Sequence, residues 1–135
     1  MKITNDTVAL VTGASRGIGV HIVRALAARG TKLVLAARSA PGLRAVATEA
    51  EAAGSEVLVV PTDLGEPGSL AALVDAAHSR FGRIDLLVNN AGVEASYFFA
   101  EAALERLEWT GKTPFEIKQI NIIITSFTKI KLLTN

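Results

Sequence analysis

A glycine-rich octapeptide, T-G-A-S-R-G-I-G at residues 12–19, constrains the fold of this chain more than any other feature. It lies between an apolar run at 8–11 and an amphipathic run that starts at Ile18, which is the order of a strand, a turn and a helix. Glycine lets the backbone adopt positive φ and approach a ligand closely. A helix N-terminus adds unpaired N–H donors and the positive end of its dipole, so the segment is predicted to bind phosphate. The simpler alternative is a turn that needs glycine only for its shape.

Apolar runs and helical patterns alternate along residues 7–89, which predicts an α/β fold. Strands are predicted at 7–12, 32–37, 57–60 and 84–89, and helices at 17–29, 41–53 and 68–80. Elements of this length imply parallel strands joined by right-handed crossovers. We therefore expect a Rossmann-type three-layer sandwich, with helices on both faces of a parallel sheet of about four strands in the order 3-2-1-4. Its ligand crevice is expected where the strand order reverses.

The end of the second predicted strand carries arginine where a carboxylate would select NAD. In such a fold this position lies beside the adenosine ribose, and an acidic side chain there binds the 2′-hydroxyl of NAD, whereas arginine accommodates the 2′-phosphate of NADP. Here the residues are Ala37 and Arg38, and Arg16 in the glycine-rich turn is a second candidate. Two guanidinium groups around a phosphate dianion predict NADP(H) in preference to NAD(H). The alternative is that both arginines are ordinary surface charges.

The fourth predicted strand ends in Asn89-Asn90-Ala91-Gly92, two amides followed by two small residues. Small residues let the backbone pass close to a ribose, and an asparagine side chain can hold a neighbouring loop through backbone hydrogen bonds. An asparagine-glycine turn by itself is weak support for a site. Because this segment follows the fourth strand of the predicted strand–helix alternation, it favours a nucleotide-binding site.

Residues 7–92 resemble the N-terminal half of a short-chain dehydrogenase/reductase, through the turn at 12–19, Asp63-Leu64 and the Asn89–Gly92 segment. The resemblance implies an NAD(P)-dependent oxidoreductase that transfers hydride between the cofactor and a carbonyl or hydroxyl substrate. It also implies that Asp63 and Leu64 contact the adenine, and that the asparagine-alanine-glycine segment flanks the ribose. The expected cofactor-binding residues are Gly13, Ser15, Arg16, Gly17, Ile18, Gly19, Arg38, Asp63, Leu64, Asn90, Ala91 and Gly92.

The chain departs from the family at its catalytic residues. The family uses a tyrosine for proton transfer and a lysine four residues later that lowers the pKa of that tyrosine. The single tyrosine here is Tyr97, and Glu101 stands where the lysine would be. Tyr97 is therefore interpreted as a loop or packing residue, and no catalytic residue is assigned. Asn121 is a weaker candidate for the asparagine that holds a proton-relay water in the family.

Composition changes abruptly near residue 110, because alanine is frequent before it and absent from 111–135. We expect a cofactor-binding half-domain at 1–110 and a divergent tail at 111–135, arising from truncation, frameshift or fusion. Ile117, Ile120 and Ile124 recur at helical spacing and predict one helix in the tail. The alternative is a strand over 120–128, which would have the composition of an aggregation-prone segment. If strand four is left as an edge, a marginal monomer is expected unless the tail or a partner covers it.

The remaining composition excludes several classes. A net charge of +1 argues against nucleic-acid binding, and the lack of cysteine excludes disulfides and thiolate metal sites. No metal site, membrane span or secretory signal is predicted, so a cytoplasmic location is expected.

Three functions stay open at this level. The first is an NADP-dependent oxidoreductase present as its cofactor-binding part, which alone would lack turnover. The second is a non-catalytic dinucleotide-binding module. The third is a subunit that needs a complementary C-terminal half or an intact homologue, or that assembles as a homo-oligomer. The sequence does not identify a substrate.

Overall fold

The computed structural model describes residues 2–90 in full, together with the backbone of two short strands at 122–125 and 129–132. The elements within 2–90 alternate as the sequence predicts: β1 (Val8–Thr12), α1 (Ile18–Ala27), β2 (Lys32–Ala37), α2 (Ala40–Ala52), β3 (Val57–Pro61), α3 (Ser69–Phe81) and β4 (Leu86–Asn89). The later strands are β5 (Ile122–Thr125) and β6 (Lys129–Leu132).

The strands form one sheet in the order β3-β2-β1-β4-β5-β6. β1 to β4 are mutually parallel where they pair, which confirms the predicted order 3-2-1-4. The register places Thr12 opposite Ala36 and Val11 opposite Val88, so the carboxyl ends of β1, β2 and β4 meet at one edge. The order reverses beside β1, which puts the crevice above β1 and β4.

The core has two parts because successive side chains of each strand point to opposite faces of the sheet. Ala9 and Val11 of β1 pack under α1 and α2, whereas Leu10 between them packs with Leu73 and Ala77 of α3. β1 is buried along its whole length, as expected for a central strand covered on both faces. The predicted three-layer arrangement is therefore confirmed.

Two local predictions differ from the structure. The continuous apolar run of β3 is typical of a strand covered on both faces, but Val57 to Val60 are only half-buried and Pro61 is exposed, because the strand order places β3 at the edge of the sheet. The first helix was expected to run to residue 29, but α1 ends at Ala27. Gly30, at a φ of 70°, then turns the chain towards β2, and its N–H donates to Ala27 O at 2.9 Å.

In the tail, the structure has strands where the isoleucine spacing predicts a helix. β5 pairs parallel with β4 through Val88↔Ile122 and Asn89↔Ile123, and β6 then pairs antiparallel with β5. The helix prediction is thus wrong for these eight residues, and the strand alternative holds for β5. β4 is consequently not an edge strand. The division of the chain at residue 110 stays a prediction.

Candidate functional site

The glycine-rich turn leaves β1 and enters α1 through two residues with positive φ. Gly13 has a φ of 62°, and Gly17, the N-cap of α1, has a φ of 60° and a ψ of −137°. Residues with a Cβ rarely adopt this backbone. Gly19 is needed for a different reason, because a Cβ built on it would lie 2.0 Å from Gly13 O. Glycine is therefore needed for the shape of the turn at these three positions, as the alternative interpretation holds. The hydrogen bonding of the turn indicates an anion site in addition.

The turn leaves backbone donors free at the start of α1. Ala14 N–H donates to Ala36 O of β2 at 3.3 Å, and Val20 N–H donates to Gly17 O at 3.2 Å. Within residues 2–90, the N–H groups of Ser15, Arg16 and Gly17 have no hydrogen-bond acceptor. No side chain of the described residues caps α1, and its first turn holds no acidic residue. The arrangement suits an anion at the helix N-terminus.

The end of β4 holds the turn in place. Asn90 Nδ2 donates to Gly13 O at 3.2 Å, and Asn90 N–H donates to the hydroxyl of Thr12 at 3.0 Å. That buried hydroxyl lies 3.4 Å from both Val88 O and Asn89 Oδ1. The two asparagines therefore have different roles. Asn89 is buried below the turn, whereas Asn90 contacts the turn directly. Thr12 was missed as a site residue by sequence reasoning, although a hydroxyl at the last position of a buried strand is a usable signal.

The corner between β2 and α2 approaches the turn from the other side. Ser39 caps α2 by accepting a hydrogen bond from Gly42 N–H at 3.2 Å. A Cβ built on Gly42 would lie 3.1 Å from Ser15 Cβ, so this corner and the turn are in close contact. Arg16, next to Ser15 in the turn, and Arg38, next to Ser39 in the corner, are both exposed. Gly42 is a second residue that the sequence reasoning missed.

The loop after β3 reaches the same edge of the sheet. Thr62 N–H donates to Ala37 O at 2.8 Å, which continues the β2–β3 pairing past the strand ends. The exposed carboxylate of Asp63 accepts a hydrogen bond from Gly65 N–H at 3.0 Å, which fixes the loop locally. Leu64 is half-buried against the α3 side of the core.

The structure thus brings Gly13, Gly19 and Asn90 into direct contact and places the other predicted residues of 2–90 around the same edge. Of the residues that the sequence singles out, seven lie outside the described residues: Ala91, Gly92, Tyr97, Glu101, Ile117, Ile120 and Asn121.

The opposite edge of the sheet carries a charged network. Asp85 Oδ2 accepts hydrogen bonds from Val8 N–H and from Arg83 Nε, both at 2.9 Å, and Arg83 also donates to the carboxylate of Asp6 at 2.9 Å. Arg83 and Lys32 hold the pKa of Asp6 below its ordinary value. These contacts fasten the start of β4 to the start of β1. They lie at the other end of the strands from the glycine-rich turn.

A sequence profile of the short chain dehydrogenase family matches residues 7–124, and the chain belongs to this family. Among curated relatives, the ketoacyl reductase HetN of a Nostoc species is 42% identical over 106 residues, which are 78% of this chain and 37% of the relative. The chain spans less than half the length of the curated relatives that it matches.

Solved structures of the family agree with the fold. A metagenomic short-chain oxidoreductase in complex with NADP superimposes with a TM-score of 0.64 and 46% identity, over 68% of this chain and 42% of that one. A Burkholderia phymatum short-chain dehydrogenase/reductase in complex with NAD has the same TM-score, 0.64, at 41% identity, over 69% of this chain and 33% of that one. Structural relatives therefore bind either dinucleotide.

The three described helices give no membrane span, since none of them combines the length and the apolar character that crossing a bilayer requires.

Proposed function

We propose that this chain binds NADP(H) as the cofactor-binding part of a short-chain oxidoreductase, which transfers hydride between the cofactor and a carbonyl or hydroxyl substrate. The observation that carries the proposal is the turn itself, where the N–H groups of Ser15, Arg16 and Gly17 have no acceptor within residues 2–90. The turn is held open by the contact between Asn90 and Gly13 O. A pyrophosphate would accept hydrogen bonds from these donors and from the turn as far as Gly19.

The preference for NADP(H) rests on the residues around the adenosine ribose. β2 is followed by Arg38 and Ser39, and no carboxylate is present there to accept a hydrogen bond from the 2′-hydroxyl of NAD. Arg16 and Arg38 are exposed and adjoin in sequence Ser15 and Ser39, the two residues nearest Gly42, so we propose that they bind a 2′-phosphate. Because solved relatives bind NADP in one case and NAD in another, the preference is argued from these side chains alone.

The remaining predicted contacts complete the adenosine half of the site. Asp63 and Leu64 would contact the adenine edge, since their loop follows β3 at the same edge of the sheet. Asn90 would steady the ribose side through its hydrogen bonds to Gly13 and Thr12, followed by Ala91 and Gly92.

Hydride transfer to a carbonyl also needs a proton, which the family obtains from a tyrosine assisted by a lysine. In this chain Tyr97 is followed four residues later by Glu101, whose charge would raise the pKa of a nearby phenol. We therefore propose that the chain binds the dinucleotide but turns over little substrate by itself. This observation favours the alternative functions, a non-catalytic dinucleotide-binding module or a part that needs a complementary chain.

Calorimetric titration of the full 135-residue chain with NADPH and with NADH tests the proposal. Saturable NADPH binding with a smaller Kd than that of NADH is expected. No heat from a folded chain at millimolar NADPH would refute it. Activity that appears only after mixing with a chain supplying the tyrosine-lysine pair would select the complementary-part alternative, and binding without activity in either assay would select the non-catalytic module.

A further inference from the structure

Gly42 occupies an unusual place for a glycine, the third residue of α2. Glycine is among the poorest helix formers, and most other residues would stabilise this first turn better. No positive φ is found at Gly42, so the backbone itself does not require glycine. The reason must lie in what surrounds it.

Two neighbours restrict the space at Gly42. A Cβ would lie 3.1 Å from Ser39 Oγ and 3.1 Å from Ser15 Cβ. The first contact is equally tight, but it lies between α2 and its own N-cap. The second contact crosses from α2 to the glycine-rich turn. Both contacts favour glycine, and only the second ties Gly42 to the turn.

We infer that Gly42 is a positioning residue that sets how closely the turn approaches the start of α2, and so sets selectivity for the 2′-phosphate. This inference rests on the proposed function. Ser15 precedes Arg16 in the turn, and Arg38 precedes the cap of α2, so the spacing at Gly42 governs the spacing between the two arginines. The pyrophosphate donors at Gly17 and beyond belong to the start of α1 and are not tied to Gly42. The N–H groups of Ser15 and Arg16 move with Ser15, so both dinucleotides lose some affinity, but only NADPH also loses contact with the 2′-phosphate.

A methyl group at Gly42 moves Ser15 outwards and separates the two guanidinium groups. For Gly42→Ala we expect the Kd for NADPH to rise about tenfold, the size of one impaired charge-assisted hydrogen bond. The Kd for NADH should rise by a smaller factor, because NADH lacks the 2′-phosphate and is affected only through the N–H donors of Ser15 and Arg16. The melting temperature should stay the same or rise, since alanine favours the helix.

Calorimetry with both dinucleotides on the full chain, together with thermal unfolding, tests the inference. Ala45→Gly, an exposed substitution in the same helix, is the control that weakens α2 without approaching Ser15. It should lower the melting temperature and leave both Kd values unchanged. Ser15→Gly removes the opposing Cβ, so Gly42→Ala should add no further loss of NADPH binding in that background.

Three results would overturn the inference. Wild-type NADPH affinity in Gly42→Ala would show that the spacing is unimportant, and equal losses for NADPH and NADH would show a general loosening of the site. Additive losses in the double variant would show that Ser15 does not mediate the effect. A folded wild-type chain that binds neither dinucleotide would instead refute the proposed function, and this inference with it.

Discussion

Replacing Gly19 by alanine should damage the site more than any other single methyl group. The added Cβ would lie 2.0 Å from Gly13 O, 2.9 Å from Gly13 C and 2.7 Å from Asn90 Nδ2. Two of these atoms belong to the backbone, so no side-chain rotation relieves the overlap. The turn must move away from α1, and its hydrogen bond from Asn90 is lost with that movement.

The magnitude follows from three contributions. Overpacking costs about 1–3 kcal/mol, and an overlap this deep against backbone belongs at the upper end. The lost hydrogen bond adds about 1 kcal/mol, whereas the better helix propensity of alanine offsets about 1 kcal/mol. We expect Gly19→Ala to lower the free energy of unfolding by about 3 kcal/mol and to raise the Kd for NADPH at least tenfold, roughly 1.4 kcal/mol or more.

Gly54→Ala is the matched control for this prediction. Gly54 has a φ of 103° and no atom within 4 Å of an added Cβ, so alanine there strains the backbone without a clash. It follows α2, at the end of that helix away from the turn. Chemical denaturation should show a loss of about 1–3 kcal/mol, with the Kd for NADPH unchanged. An NADPH Kd within about twofold of wild type in folded Gly19→Ala would refute the proposed role of the turn.

Three further predictions concern individual side chains. Arg38→Glu should weaken NADPH binding by about 10–100-fold in calorimetry, through loss of a charge-assisted hydrogen bond, whereas NADH binding should stay unchanged or become tighter, because a carboxylate there can accept a hydrogen bond from the 2′-hydroxyl. Thr12→Val should lower the free energy of unfolding by about 1–3 kcal/mol in urea denaturation, because the part-buried Asn90 N–H loses its acceptor. Arg83 and Lys32 hold the pKa of Asp6 below its ordinary value, so the stabilising contribution of this carboxylate is present above its unfolded pKa and is lost as the pH falls through its folded pKa. Asp6→Asn should therefore reduce the pH dependence of the melting temperature in this acid range.

Each of these predictions has a contrary outcome. Arg29→Glu, an exposed charge reversal just after α1, is the control for Arg38; equal losses from both would indicate a general electrostatic effect. Thr12→Ser keeps the hydroxyl. If it lowered the free energy of unfolding as much as Thr12→Val, the destabilisation would come from altered packing and not from the lost hydrogen bond. An unchanged acid profile in Asp6→Asn would mean that Arg83 and Lys32 do not stabilise the folded state through this carboxylate.

The sequence predicted the first four strands and three helices because each signal there is local. Continuous apolar runs indicate β1 and β2, and glycines after each helix mark its end. The exposure of β3 was not predictable from its own residues, since Val57–Pro61 reads like a central strand and only the sheet order makes it an edge.

The candidate site was predicted only in part, because some of its contacts, like the exposure of β3, depend on segments that are distant in the sequence. Glycines and asparagines at strand ends are visible in the sequence, whereas the contact between Ser15 and Gly42 joins two segments that have no shared pattern. In the tail, isoleucine favours a strand but its spacing of three and four residues suggests a helix. Pairing with β4, a long-range contact, decides between them.

Asn90 and Gly13 are 77 residues apart along the chain, and this separation governs when the site can form. During synthesis β1 can pair with β2 early, because a short connection closes at a small entropic cost. Its other neighbour, β4, emerges only after three helices have been made. The candidate site is thus among the last parts of this unit to assemble. A dinucleotide present during folding would bind and stabilise the folded unit but would not affect its early folding steps.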